Sequence, residues 1–249
     1  MVNEEDHLRE QYIFKEPDLF KAYERISAID DHLGSLYDFA FDEKLGYLTS
    51  CPSNLGTGMR ASVMLFLAGL VWNGELKTLL PQLKAGGLTV RGAFGEGSKA
   101  EGYVYQISNE RTLGISEEEI LETMEKTTVL LCDLENKARQ EMLKSSELEY
   151  RDLCLRAYGV LTHCALLTQK ECFSKLADVK LGLVLGFFET KELEDFDAFV
   201  DGLRPTAFKV ENRLWDATDI ECDQVRAQIV RRILPELVTI KKLEEKAEE

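Results

Sequence analysis

Apolar residues recur every three or four positions from Asp18 to Phe41, at Phe20, Tyr23, Ile26, Ile29, Leu33, Leu36 and Phe39, which predicts an amphipathic helix. Tyr47 to Cys51 reads as a short strand entering a glycine turn. Beyond the turn, the apolar run Ala61 to Trp72 predicts a buried helix, and Leu76 to Ala85 a second one that Gly86 and Gly87 stop. Leu88 to Ala93 and Tyr103 to Ser108 read as strands, the latter with Tyr103, Tyr105 and Ile107 on one side. Ser116-Glu117-Glu118-Glu119 has the form of a capping box, opening a long helix striped by Ile120, Met124, Leu131, Leu134, Ala138 and Met142. A second capping box, Thr218-Asp219-Ile220-Glu221, starts a helix that Pro235 can kink, ahead of a charged tail at 244–249. Strands early in the chain and helices later predict an α+β fold.

Composition narrows the function classes. With 249 residues, of which 45% are hydrophobic, the chain can bury a sizeable core. A formal net charge of −15 argues against a nucleic-acid surface, which needs clustered Lys and Arg, but leaves free nucleotide compatible. The longest apolar runs, Ala61 to Trp72 and Leu181 to Phe188, fall short of the roughly 20 residues a bilayer requires. No N-terminal basic and apolar signal pattern is present, so the expectation is a cytosolic protein with no membrane partner. Cys51, Cys132, Cys154, Cys164, Cys172 and Cys222 form no Cys-x-x-Cys pair, and the three histidines have no ligand spacing. Neither a disulfide framework nor a protein-held metal is indicated.

The chemistry concentrates in residues 49–63, where Cys51 and Arg60 flank the turn Gly56-Thr57-Gly58. A helix beginning near Met59 would offer unpaired N–H groups and a dipole to an anion, with a guanidinium beside them and a thiol whose pKa the same field lowers. Two nucleotide motifs in these loops are decoys. Gly56-Thr57-Gly58-Met59-Arg60-Ala61 satisfies the dinucleotide pattern, but no alternation of strands and helices follows it. Gly92 to Lys99 approaches a phosphate-binding loop, yet Ser98 precedes Lys99 where the loop needs Gly-Lys followed by Ser or Thr.

Three segments in order carry a resemblance: Asn3-Glu4-Glu5-Asp6-His7-Leu8-Arg9, Cys51-Pro52-Ser53-Asn54-Leu55-Gly56-Thr57 and Arg91-Gly92-Ala93-Phe94-Gly95-Glu96. Together they resemble the catalytic domain of the ATP:guanido phosphotransferases. The resemblance implies an antiparallel sheet flanked by helices, of the glutamine synthetase and guanido kinase type. It implies a catalytic domain over residues 1–190 and a helical C-terminal extension over 191–249. Arg9, Arg60 and Arg91 match the family's nucleotide-phosphate arginines in this domain. Glu5 and Glu96 match the acidic pair that holds the guanidinium, Glu5 being the better candidate for the base, and Cys51 matches the reactive cysteine beside it. ATP with Mg2+, the metal held mainly by the nucleotide, is the implied cofactor.

Gly95-Glu96-Gly97-Ser98, Tyr105 to Asn109, Thr112-Leu113-Gly114, Tyr158 to Leu161 and Asp178 to Gly182 resemble the bacterial protein-arginine kinase branch, so the implied acceptor is arginine in a protein. That branch carries an Arg-Asp-x-x-Arg-Ala phosphoarginine-binding motif that helps dimerisation. Here it reads Cys222-Asp223-Gln224-Val225-Arg226-Ala227, retaining Asp223 and Arg226 and admitting a homodimer. The family's N-terminal helical domain, with its further phosphate arginines, has no counterpart in this sequence. The chain is therefore expected to be a C-terminal catalytic domain with an incomplete site, completed by an N-terminal kinase domain or an activator protein in trans. Two other readings stand beside the kinase: a non-catalytic remnant that binds phosphoarginine or a partner, and a phosphagen kinase acting on a small guanidine.

Overall fold

The computed structural model describes residues 1–16, 18–92 and 101–242. The chain folds as helices with antiparallel strands and divides into two compact units. The first takes Met1–Leu65, Gly74–Ser98 and Tyr105–Glu135, and the second takes Phe66–Asn73, Lys99–Val104 and Asn136–Glu249.

In the first unit, Asp18 caps helix α1 (Leu19–Gly34), its carboxylate accepting from the Lys21 N–H at 2.9 Å. The helix is shorter than its apolar pattern, which continues to Phe39. After Gly34 the Ser35 hydroxyl turns back onto the His32 carbonyl at 2.6 Å. Strands β1 (Phe41–Asp42) and β2 (Gly46–Tyr47) form a small hairpin, so the strand expected over Tyr47 to Cys51 ends at its first residue.

The apolar run from Ala61 is the main departure from the expected elements. It begins as strand β3 (Ser62–Phe66), and only Ala68–Trp72 is helical, as α2. A continuous apolar run does not distinguish a buried helix from a buried strand; pairing decides it. β3 lies beside β5 (Val104–Asn109), and the Ser62 and Ser108 hydroxyls meet at 3.0 Å. No helix therefore begins near Met59.

Helix α3 (Leu76–Ala85) buries Leu76 and Leu83, and leads through Gly86 and Gly87 into β4 (Leu88–Gly92). Gly87 takes φ +78°, the left-handed conformation that lets the chain reverse into the strand. The sheet order is β3-β5-β4, with β4 antiparallel to β5 in the register Leu88↔Asn109 to Gly92↔Tyr105. Ser116 and Glu119 cap each other at the start of α4 (Glu117–His163), whose Ile120, Leu121, Met124 and Leu131 are buried.

The second unit is built on the later part of α4, which is interrupted at Ser146, with α5 (Gln169–Val184), α6 (Leu193–Gly202), α7 (Pro205–Glu211) and α8 (Asp219–Leu237). The reciprocal Thr218–Glu221 capping box opens α8, and the helix runs through Pro235 to Leu237. Short strands β6 (Phe188–Glu189) and β7 (Thr239–Ile240) pair antiparallel. Phe196, Phe208, Leu161, Leu176 and Val230 lie in one apolar core. Within it, Tyr103 donates to Asp178 at 2.8 Å, and burial nevertheless raises the Asp178 carboxyl above its usual range.

Gly182 is where α5 admits the β6 ring: a methyl group there would lie 2.5 Å from Phe188 Cδ2 and 3.1 Å from Cys154 Cβ. Gly182→Ala is expected to cost about 1–3 kcal/mol by overpacking. A thermal melt should read this as a midpoint several degrees lower, and an unchanged midpoint would show that Phe188 repacks freely.

Candidate active site

The N-terminal residues close a small loop. Val2 bridges Leu8, the Asn3 N–H donates to the His7 carbonyl at 2.9 Å, and the Arg9 N–H donates to the Met1 carbonyl at 3.0 Å. Asn3 sits at φ 55°, a left-handed conformation that asparagine tolerates better than most residues. This turn presents Glu5 and Arg9 to solvent, with Arg9 3.6 Å from the Glu4 carboxylate. Asp6 points the other way and accepts from the Ser50 N–H at 2.7 Å and from Asn54 Nδ2 at 2.9 Å. The Asn54 amide, and after it the Ser50 N–H, hold the Asp6 carboxyl below its ordinary value. One carboxylate thus ties the loop of Glu5 to the loop of Cys51.

Cys51 stands at the head of a single 3-10 turn, Pro52–Asn54, with its sulfur 3.0 Å from the Ser53 hydroxyl. The Thr49 hydroxyl donates to the Cys51 carbonyl at 2.8 Å. Behind this turn, Tyr47 and Gly56 exchange backbone hydrogen bonds at 2.8 and 3.3 Å. The Thr112 hydroxyl lies 2.9 Å from the Ser53 carbonyl and 2.8 Å from that of Leu55, while the Thr57 N–H donates to the Thr112 carbonyl at 2.9 Å. Gly56 packs its bare Cα against this threonine at φ +110°, where any side chain would overlap the Thr112 backbone.

Arg60 leaves the turn just ahead of β3, and Arg91 lies on β4 opposite Gln106. Partial burial lowers the Arg60 guanidinium's pKa, and repulsion from Arg91 and then Arg9 lowers it further, with Glu110 opposing. The three arginines named from separate motifs therefore share one electrostatic neighbourhood. Among the described residues neither Arg60 nor Arg91 makes an ion pair. The helix start expected at Met59 is absent, so what this turn offers an anion is guanidinium charge and not a helix dipole. Glu96, the expected second acidic residue, lies outside the described residues.

Asp223 and Arg226 lie elsewhere in the fold, in the second unit, as a buried i,i+3 pair at 2.6 Å and not as a surface pair. Arg226 also donates to the Leu167 carbonyl at 2.7 Å and stacks over Phe208 with its Cζ 4.8 Å from the ring centroid.

Sequence reasoning passed over Asp6 and Thr112, which hold the loops while their neighbours face outward. Asp6 stood inside the Asn3–Arg9 motif, but no spacing rule tells an anchoring carboxylate from a reacting one.

The lowered Asp6 carboxyl makes a signed prediction. Its stabilisation is full above the ordinary carboxyl value of 3.8 and is lost as pH falls through the lower folded value. Asp6→Asn retains the acceptor for Ser50 but turns an amide toward Asn54. It should cost stability toward the low end of about 0.5–1.5 kcal/mol per bond, because the group is half-solvated. In urea unfolding, the difference from wild type should be constant at neutral pH and shrink below about pH 4; a difference that persists at low pH would show that Asp6 acts by other means.

The ATP:guanido phosphotransferase C-terminal catalytic domain matches residues 1–138, and the protein-arginine kinase McsB C-terminal domain matches residues 147–247. The protein-arginine kinase of Halalkalibacterium halodurans is 48% identical over 189 residues, covering 76% of this chain and 53% of that protein. That of Caldanaerobacter subterraneus subsp. tengcongensis is 42% identical over 205 residues, covering 82% and 60%. The chain thus spans little more than half the length of these relatives. Among solved structures, a duplicated taurocyamine kinase from Schistosoma mansoni with bound transition-state analogue components is 31% identical, covers 62% of this chain and 22% of that one, and has a TM-score of 0.51. With the three arginines sharing one electrostatic neighbourhood and the first of these domains matching more than half of this chain, the chain belongs to the ATP:guanido phosphotransferase family.

Proposed function

We propose that this chain carries the catalytic residues of a kinase that moves the γ-phosphoryl group of ATP onto the guanidinium of arginine in a protein. The observation that carries the reading is the convergence of Arg9, Arg60 and Arg91: like charges held together are costly unless an anion is to be bound among them. Mg·ATP is the substrate of that chemistry, and its metal is coordinated by phosphate oxygens.

In the proposed reaction a guanidinium nitrogen attacks the γ-phosphorus, the bond from that phosphorus to the bridging oxygen breaks, and ADP leaves. The attacking group must lose a proton that it holds with a pKa above about 12, so a carboxylate has to receive it in the transition state. Glu5 takes that role, projecting from the loop that Asp6 anchors. Glu96, outside the described residues, is the second carboxylate assigned to holding the guanidinium, and Cys51 is assigned, as a thiolate, to orienting the substrate. The arginines neutralise charge spreading over the phosphoryl oxygens. The protein-arginine kinase relatives support a protein acceptor, as does the match of residues 147–247 to the protein-arginine kinase McsB C-terminal domain behind the catalytic-domain match.

The test is to incubate the chain with Mg·ATP and an arginine-bearing protein and to assay acid-labile phosphoarginine, alone and with the remaining half of a relative supplied in trans. Glu5→Gln is expected to abolish transfer with ATP affinity nearly unchanged, whereas Arg60→Ala should weaken ATP binding by about 10–100-fold, the worth of one charge-assisted contact. Equal loss of both properties in Glu5→Gln would exclude it as the base. No phosphoarginine under either condition, with ATP still bound, would favour a non-catalytic binding protein.

Cys51 provides a check independent of turnover. Burial holds Cys154 and Cys172 up at about 12, so neither should react with iodoacetamide until the protein unfolds. Half-exposed Cys51 is expected to be alkylated in the native state, and Mg·ATP should slow that reaction. Mass-spectrometric site mapping decides it, and labelling of Cys51 indifferent to nucleotide would place the nucleotide elsewhere.

A further inference from the structure

We infer that Asn109 is a positioning residue for phosphate binding, acting through the backbone of Arg60. The inference rests on the reading of Arg60 as a nucleotide contact and adds the group that aims it. Asn109 ends β5, within the Tyr105 to Asn109 stretch that marks the branch, and is 6% exposed. Its Oδ1 accepts from the Ala61 N–H at 2.8 Å, and its Nδ2 donates to the Met59 carbonyl at 3.1 Å and to the Arg111 carbonyl at 2.9 Å. Its own backbone N–H donates to the Ala61 carbonyl at 3.3 Å.

The Met59 carbonyl belongs to the peptide plane before the Arg60 Cα, and the Ala61 N–H to the plane after it. The only soft dihedrals between those planes are φ and ψ of Arg60, so holding both planes fixes the direction in which its side chain leaves the backbone. That matters here because Arg91 and Arg9 both push on the Arg60 guanidinium. A loose backbone would let Arg60 swing away from its like-charged neighbours, and the cluster would exist only after phosphate had arrived. A neutral amide holds the backbone without cancelling the charge, as a carboxylate would. Two of the three side-chain hydrogen bonds of Asn109 hold this turn and the third holds the Arg111 carbonyl, and a shorter side chain cannot span them.

The test is a double-mutant cycle read by Mg·ATP affinity in calorimetry, using the whole chain. Asn109→Ala is expected to weaken Mg·ATP binding by about tenfold, and the Asn109→Ala, Arg60→Ala double variant should bind no more weakly than Arg60→Ala alone. Ile107→Val, which loosens the same strand without touching the Met59 to Ala61 turn, should keep wild-type affinity, separating positioning from general destabilisation. Should Asn109→Ala not fold, Asn109→Ser, which can satisfy only one of the three partners, enters the same cycle. Wild-type affinity in the Asn109 variant, or losses that add in the double variant, would overturn the positioning role. Wild-type affinity in Arg60→Ala alone would overturn the phosphate reading of Arg60 itself, and this inference with it.

Discussion

Guanidinium groups gather only where something other than charge fixes the backbones that bear them. Two like unit charges roughly 8 Å apart near a protein surface repel by about 2 kcal/mol, which a few neutral hydrogen bonds of about 1 kcal/mol each can offset. The first unit supplies those bonds along one seam. Thr112 grips the carbonyls of Ser53 and Leu55, Asn109 grips both sides of Arg60, and the β4–β5 ladder carries Arg91. Asp6 then fastens the loop of Glu5 and Arg9 to the same turn. Gly56 makes the seam possible, since only a residue without a side chain lets the turn lie against Thr112.

The arrangement also explains how an acidic chain can bind an acidic ligand. A net charge of −15 repels a polyanion at long range, but screening confines that repulsion to about a Debye length, roughly 8–10 Å in ordinary salt. Within that distance the local field is set by Arg9, Arg60 and Arg91, opposed by Glu110 at Arg60 and by Glu4, 3.6 Å from Arg9. The proposed nucleotide would then be held by short-range geometry, with the precision of the loops mattering more than the chain's overall charge.

The motifs made the candidate residues legible because each packs several functional side chains into a few consecutive positions. The helices were legible too where capping chemistry is local: Asp18, Ser116–Glu119 and Thr218–Glu221 all cap as their sequences suggest. The run from Ala61 to Trp72 was not, because Ser62 to Phe66 becomes a strand only through pairing with β5, some forty residues away. Asn109, Thr112 and Asp6 were illegible as anchors for the same reason. The partners that make them anchors lie 44 to 59 residues distant in sequence, the Arg111 carbonyl beside Asn109 apart, and only the folded chain brings them together.

What an arginine is for can be read from what its donors face. Arg226 aims at the Leu167 carbonyl and the Asp223 carboxylate with its plane over Phe208, and Arg151 aims at the Lys241 carbonyl with its plane over Phe187. Both are buried, and their charge serves to cross-link backbone to core. The position that the kinase branch fills with arginine, Cys222, is itself 3% exposed here among apolar neighbours. A guanidinium there would need its own buried partners, so cysteine at this position fits a segment that packs. Arg60 and Arg91 contrast: both reach solvent, Arg60 while partly desolvated, neither makes an ion pair among the described residues, and each lies within the other's field. The two packed arginines turn terminal nitrogens onto internal acceptors while each Nε stays buried without a hydrogen-bond partner among the described residues, whereas Arg60 and Arg91 face outward, where the proposed nucleotide would meet their donors.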